Sequence, residues 1–285
     1  MRCLVTGGSS GLGEALVHAL RERGHEVLVC DLNEPTSAVE PVQGFEPFET
    51  VAAQPPQEPT VAAQPPQPPS YLRLDVRSDD DWAAALAWVE EHWGSLDLLV
   101  NNAGVAGGGR VDVATMDEWQ WITEINLFGV VRGTRTFVPM FKAQRSGRIV
   151  NVASLAGLVH PAGMGSYNAV KAGVVAFTET IGHELASYGV HAHVVCPSYF
   201  RTNLMASARG ADTTLVGVVA GLVESSPVTA DEIASAVLAG IERGDEVILP
   251  DHAARQAWEL KQHDRASYDA VMRDQAAKLD QVGQK

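Results

Sequence analysis

The feature that most constrains this chain is a rhythm: short apolar runs (RCLVT, EVLVC, LDLLV, GRIVNV, VHAHVV and EVILP) alternate with longer stretches whose apolar residues recur at helical spacing. Successive residues of a strand point to opposite faces of its sheet, so a run apolar throughout must be buried on both sides. Helices between such strands then have to cover both faces. The rhythm predicts an α/β fold, a doubly wound parallel sheet of about seven strands with helices on each side. Helical periodicity falls at 11–23, 79–93, 115–144, 166–187 and 230–243, and Ser78 before three aspartates reads as a capped helix start whose carboxylates complement the helix dipole.

Residues 1–250 read as one catalytic unit and 251–285 as a polar helical extension, expected to pack across the body or against a neighbouring subunit. An apolar share of 46% and a charged share of 20% suit a protein with a sizeable core. The net charge of −14 argues against a nucleic-acid partner, since binding a phosphate backbone rests on Lys and Arg that displace counterions. Cys3, Cys30 and Cys196 each lie in or beside an apolar run, which favours reduced, buried thiols and a cytoplasmic protein. The opening MRCLVTGG passes straight into a strand, with no signal region expected, and no stretch approaches the length of a membrane span.

One segment interrupts the rhythm. Residues 35–69 hold ten of the fifteen prolines, and TVAAQPPQEP is followed by the near copy TVAAQPPQPP. Proline lacks the amide donor and clashes with the preceding helical turn, so a flexible or polyproline-II insertion is expected where a crossover helix would normally stand. A docking site for a proline-reading domain is the functional alternative; lengthening a loop costs only about 0.6 kcal/mol per doubling, so the duplication needs no function.

The first strand ends in Thr6-Gly7-Gly8-Ser9-Ser10-Gly11-Leu12-Gly13 and runs at once into a helix. Glycines there permit a tight turn, close approach of backbone to a pyrophosphate, and packing of the helix on the sheet, while the helix N-terminus offers free N–H groups to phosphates. This is the dinucleotide-binding turn of a Rossmann-like fold. Asp31 ends the second strand, where an acidic residue meets the adenosine ribose. Its carboxylate would repel the extra phosphate of NADP, and no Lys or Arg stands in the turn or just after Asp31. NAD is therefore expected over NADP.

Four further segments follow in order: Asn101-Asn102-Ala103-Gly104 after a strand, Asn126 in a long helical stretch, Ser154 after a strand, and Tyr167 with Lys171. With the turn at Thr6 to Gly13, the pattern resembles the short-chain dehydrogenase/reductase family in its compact single-domain form. The resemblance runs from Met1 to about Leu249, broken by the proline tract. It implies that Asp75 and Val76 hold the adenine, that Asn102, Ala103 and Gly104 line the cofactor, and that Asn126, Ser154, Tyr167 and Lys171 form a catalytic tetrad. It also implies that Pro197 and Thr202 cover the nicotinamide, although Ser198 stands where the family usually has Gly, and that the chain forms a homodimer or homotetramer.

The residue types suit hydride chemistry on an alcohol or carbonyl substrate. Removing a hydroxyl proton needs a base stronger than a free tyrosine, whose pKa is near 10. Tyr167 and Lys171 are one helical turn apart, so the ammonium can favour the phenolate. Ser154 can hold the substrate oxygen, and the resemblance has Asn126 kinking its helix through a water and linking Lys171 to solvent. His160, between Ser154 and Tyr167, is a candidate substrate contact, whereas His191 and His193 lack a third ligand and no metal is assigned. Leu204, Met205, Leu215, Val216 and Val219 give the loop at 203–227 an apolar face, favouring a lipophilic secondary alcohol or ketone, and equally they can be ordinary helix core. The alternatives are an NADPH-type keto-reductase and a non-catalytic NAD-binding sensor; retention of all four tetrad residues argues against the sensor.

Overall fold

The computed structural model describes residues 1–35 and 71–283, so the reading of the proline tract lies outside the described residues. Strands β1 (Arg2–Thr6), β2 (Glu26–Asp31), β3 (Tyr71–Arg73), β4 (Leu98–Asn101), β5 (Gly147–Val152), β6 (Val190–Val195) and β7 (Val247–Ile248) form one parallel sheet in the order β3-β2-β1-β4-β5-β6-β7. Every pairing is parallel. This is the doubly wound, Rossmann-like sheet that the apolar rhythm predicts.

Alternation along the strands divides the core. Cys3 and Val5 of β1, with Val27 and Val29 of β2, pack against α1 (Gly11–Glu22) on one face. Leu4, Leu28 and Cys30 point the other way, into a second core with Trp82, Val89, Phe137 and Phe141. Those four come from α2 (Asp79–His92) and the later helix at Gly129–Gln144. The central strands thus bury both faces, which is why their sequences lack polar alternation, whereas the edge strands β3 and β7 are less buried. Chain direction around β1 reverses, since β2 and β4 flank it on opposite sides, and a crevice opens there beyond the carboxyl ends of the strands.

Local signals hold where they were read. Ser78 accepts a hydrogen bond from the Asp81 amide at 3.1 Å and caps α2. The stretch at 115–144 is not one helix, however. It divides into α3 (Met116–Thr123), a π turn at Glu124–Phe128 and α4 (Gly129–Gln144). A short α5 (Ala156–Val159) precedes α6 (Gly165–Leu185), and α7 (Thr213–Glu224) occupies about half of what reads as a loop at 203–227. The apolar face of that loop is thus a helix face: Leu215 and Val223 are buried on α7.

After α8 (Ala230–Arg243), the extension forms α9 (His252–His263) and α10 (Arg265–Gly283). Asp251 caps α9 through the Ala254 amide, and Asp264 ends it. The extension packs across the body: Tyr268 is 4% exposed, within the core cluster of Val159, Val174 and Cys196. No described helix is long and apolar enough to cross a membrane.

Candidate active site

A cleft of about 940 Å³ runs from the carboxyl ends of β1 and β2 to the underside of α10. Its phosphate end is set by backbone geometry. Gly7 adopts φ +63°, and a Cβ on Gly13 would stand 2.0 Å from the Gly7 carbonyl oxygen, so no other residue fits at Gly13 without breaking the turn. A Cβ on Gly11 would meet Thr202 Oγ1 at 2.6 Å, which brings the loop after β6 over the start of α1.

Asn102 braces the turn from below, donating from Nδ2 to the carbonyls of Thr6 (2.9 Å) and Gly7 (3.2 Å). Thr6 Oγ1 in return accepts from the amides of Asn102 (3.0 Å) and Ala103 (3.1 Å). Gly7, Ser10, Gly11, Leu12, Asn102, Ala103 and Gly104 line the cleft, whereas Thr6, Ser9 and Gly13 support its wall from outside the lining. The cradle is narrow, glycine-walled and open at a helix N-terminus, and so fits a dinucleotide pyrophosphate.

At the adenosine end, Asp31 lines the cleft and its Oδ2 accepts the Ser9 amide at 3.0 Å. Asp75 and Val76 also line it. Asp75 is gripped by Arg77, which donates from Nε and Nη2 at 3.0 and 2.7 Å, and this hydrogen bonding holds the Asp75 carboxyl below the usual carboxylate range. Arg77 itself borders the cleft; nothing in its spacing distinguishes it from a surface arginine.

The four tetrad candidates converge at the centre. Ser154 follows β5, and Tyr167 and Lys171 lie on α6, all lining the cleft. Asn126, fully buried in the π turn, faces the loop after β4: its Oδ1 accepts from the Val105 amide at 2.8 Å and its Nδ2 donates to the Val105 carbonyl at 3.0 Å. Both ends of its amide are thus occupied as if it were a neighbouring strand. The π turn shifts the helical register, a distortion that kinks helices.

Electrostatics here differ from the expectation drawn from spacing. Burial pushes Tyr167 up to about 12, with a hydrogen bond from Ser154 opposing, and pushes Lys171 down to about 8. The Lys171 Nζ donates to the Val152 carbonyl at 2.9 Å and sits 5.9 Å from the centre of the Tyr167 ring. Desolvation outweighs the attraction that one-turn spacing suggests. The protein alone therefore holds a neutral phenol beside a destabilised ammonium.

The extension closes the substrate end, with Ala257 of α9 and Tyr268, Met272, Gln275, Lys278 and Leu279 of α10 in the lining. It is tied to the catalytic loops at several points. Lys261 donates to the Leu158 carbonyl and Tyr268 to that of Val159, at the end of α5. Ser198 donates from its amide (2.9 Å) and hydroxyl (2.6 Å) to the buried carboxylate of Asp251, so the departure from glycine at this position supplies an anchor for the extension. Pro197 and Thr202 remain in the lining.

His160, the candidate substrate contact, lies outside the lining like Thr6, Ser9, Gly13 and Asn126, and unlike them it faces away from the cleft wall onto α9. Its backbone is left-handed (φ 57°), its ring is exposed, and Lys261 Nζ lies 2.9 Å from its Nδ1, outside the lining. The α9 helix reaches it first. His193 is buried with its Nδ1 2.7 Å from the Asp245 carbonyl. Trp121 and Arg209, both in the lining, carry no motif and were missed.

The model of the family described as short chain dehydrogenase matches residues 2–213. A 3-oxoacyl-[acyl-carrier-protein] reductase of Synechocystis sp. is 31% identical over 201 residues, covering 70% of this chain and 74% of that protein. A trans-4-hydroxycyclohexanecarboxylate dehydrogenase of Sinomonas cyclohexanicum is 32% identical over 206 residues, covering 72% and 74%. Among solved structures, a short chain dehydrogenase/reductase from Burkholderia phymatum in complex with NAD superposes with a TM-score of 0.76 at 25% identity, covering 93% of each chain.

Proposed function

The chain belongs to the short chain dehydrogenase family and is an oxidoreductase acting on CH–OH or carbonyl groups, and on that premise we propose that it is an NAD-preferring dehydrogenase of lipophilic secondary alcohols working through Asn126, Ser154, Tyr167 and Lys171. The cofactor preference rests on Asp31. Its carboxylate borders the cleft at the end of β2, where it would accept ribose hydroxyls and oppose a 2′-phosphate. Among the described residues the cation in the lining nearby is Arg77, which is committed to Asp75.

Bound NAD would supply the hydride acceptor and a positive charge on its nicotinamide ring. The chain's own residues would manage the proton. Ser154 holds the substrate oxygen beside Tyr167, and Tyr167 takes its proton in the oxidative direction. Burial sets the Tyr167 phenol at about 12, so Lys171 and the ring charge must together favour its ionised form. Asn126 Oδ1 and Nδ2 each make one bond to Val105, which fixes that side chain against the loop after β4 and leaves one donor and one acceptor site of the amide for a proton relay.

A second reading, ketone reduction, is favoured by the same neutral Tyr167, which is ready to donate a proton without activation. It is also the direction named for the Synechocystis relative. Steady-state kcat/KM with NAD and NADP tests the first reading. A preference for NAD of about 10²-fold, narrowed at least tenfold in Asp31→Ala, is expected from loss of a charge-assisted contact and of repulsion. A wild-type enzyme faster with NADP overturns it.

A further inference from the structure

The charged side chains lining the cleft sort by position. Asp31, Asp75 and Arg77 stand at the adenosine end; from the tetrad onward the lining holds Lys171, Arg209 and Lys278, and no carboxylate among the described residues. In a chain of net charge −14, a substrate compartment whose only formal charges are positive is contrary to the average surface. Lys171 is buried in the tetrad, and Lys278 is paired with Asp274 at 2.6 Å. Arg209 has no ion-pair partner among the described residues. Its guanidinium carbon lies 5.0 Å from the centre of the Trp121 ring, within cation–π range, and the exposed side chain donates no hydrogen bond among the described residues.

The backbone fixes where that fork stands. Arg209 bridges to Gly107 as an isolated parallel β-bridge, and Gly107 packs under Trp121. The adjacent Gly108 lies against Met164, which is three residues before Tyr167 on the same stretch of chain. Around it the compartment is apolar, with Leu215, Val219 and Met272 in the lining.

We propose that the substrate of this site, deepening the reading above, is an alcohol or ketone with an apolar body and an anionic head, and that Arg209, held on Trp121, is the specificity-determining residue that binds the head. A carboxylate matches the guanidinium edge in two parallel hydrogen bonds, and the nearby apolar side chains match the body. A phosphate on a carrier offers the same chemistry.

The test uses the full-length enzyme with NADH bound, whose fluorescence reports ligand entry, titrated with octanoate, octanamide and octyl phosphate. Octanoate is expected to bind at least about tenfold tighter than octanamide, the difference vanishing in Arg209→Gln and returning in part in Arg209→Lys, with NADH affinity unchanged throughout. Octyl phosphate binding tighter than octanoate, with the same loss in Arg209→Gln, supports the anion site and moves its source to a phosphate-bearing carrier. Equal binding of octanoate and octanamide, or an octanoate affinity unmoved by Arg209→Gln, overturns the proposal. Failure to form NADH from any alcohol would instead sink the dehydrogenase reading while leaving these affinities to be measured, so the two failures are separable.

Discussion

The two ends of the cleft are built on different principles. The dinucleotide end is shaped by backbone: Gly7 in a left-handed conformation, Gly13 pressed against the Gly7 carbonyl, and Asn102 tied to the main chain of the turn. The substrate end is shaped by side chains that reach across long stretches of sequence, such as Lys261 to the Leu158 carbonyl and Arg110 to the Asp212 carboxylate. A backbone cradle tolerates few residue types at each position, whereas a side-chain wall can be rebuilt one contact at a time.

Substitutions can break or sharpen that contrast. The largest effect is expected where the ends meet: Tyr167→Phe should lower kcat by about 10²- to 10⁴-fold while NAD affinity, measured by titration, stays within about twofold. A variant that keeps turnover would remove Tyr167 from the chemistry. Lys171 tests the junction in another way. Its buried ammonium has a pKa lowered from 10.5 to about 8, so between those values the unfolded chain binds more protons than the folded one, and stability contributed by this residue rises with pH. The full penalty, about 3 kcal/mol, stands below pH 8 and is relieved as pH climbs toward 10. Chemical denaturation of the wild type against Lys171→Met should reveal this slope in the wild type alone; parallel curves would contradict it.

Within the dinucleotide end, Gly13→Ala should weaken NAD binding by about 100-fold, with a loss of stability of about 1–3 kcal/mol from overpacking, and should harm every alcohol substrate equally. Within the substrate end, Tyr268→Phe removes the hydroxyl that caps the Val159 carbonyl and should cost about 1 kcal/mol. Its mark should be a severalfold rise in KM for the alcohol with no change in NAD affinity. Should Tyr268→Phe disturb NAD binding as much as alcohol binding, the two ends are mechanically one, and the contrast fails.

The same division governs what could be read from sequence. The sheet and its helices were legible because burial on both faces of a strand leaves an apolar run that needs no knowledge of partners. The glycine turn and Asp31 were legible because their constraints are local. The π turn was not legible from the residues of 124–128, which differ little in propensity from an α-helix; only the resemblance implied a kink at Asn126. Nor was α7, whose apolar face is as consistent with a loop as with a helix until Asp212, capping Leu215, is seen to be held by Arg110. His160 shows the limit most plainly. Proximity in sequence to Ser154 and Tyr167 suggested a place in the cleft, but Lys261, about a hundred residues later, draws its ring to the outside. Arg209 and Trp121 left no trace in the sequence because a cation beside an aromatic ring matters only once folding has stacked them.

The cysteines carry a practical consequence. Cys3, Cys30 and Cys196 are each fully buried, and desolvation raises all three thiols, Cys3 and Cys196 to about 12. The folded protein thus presents a chemically silent background to maleimides and iodoacetamides, which attack thiolates. One cysteine introduced on the exposed side of α10 would take up a dye alone, making the extension a site for following substrate entry by fluorescence without first removing any native residue.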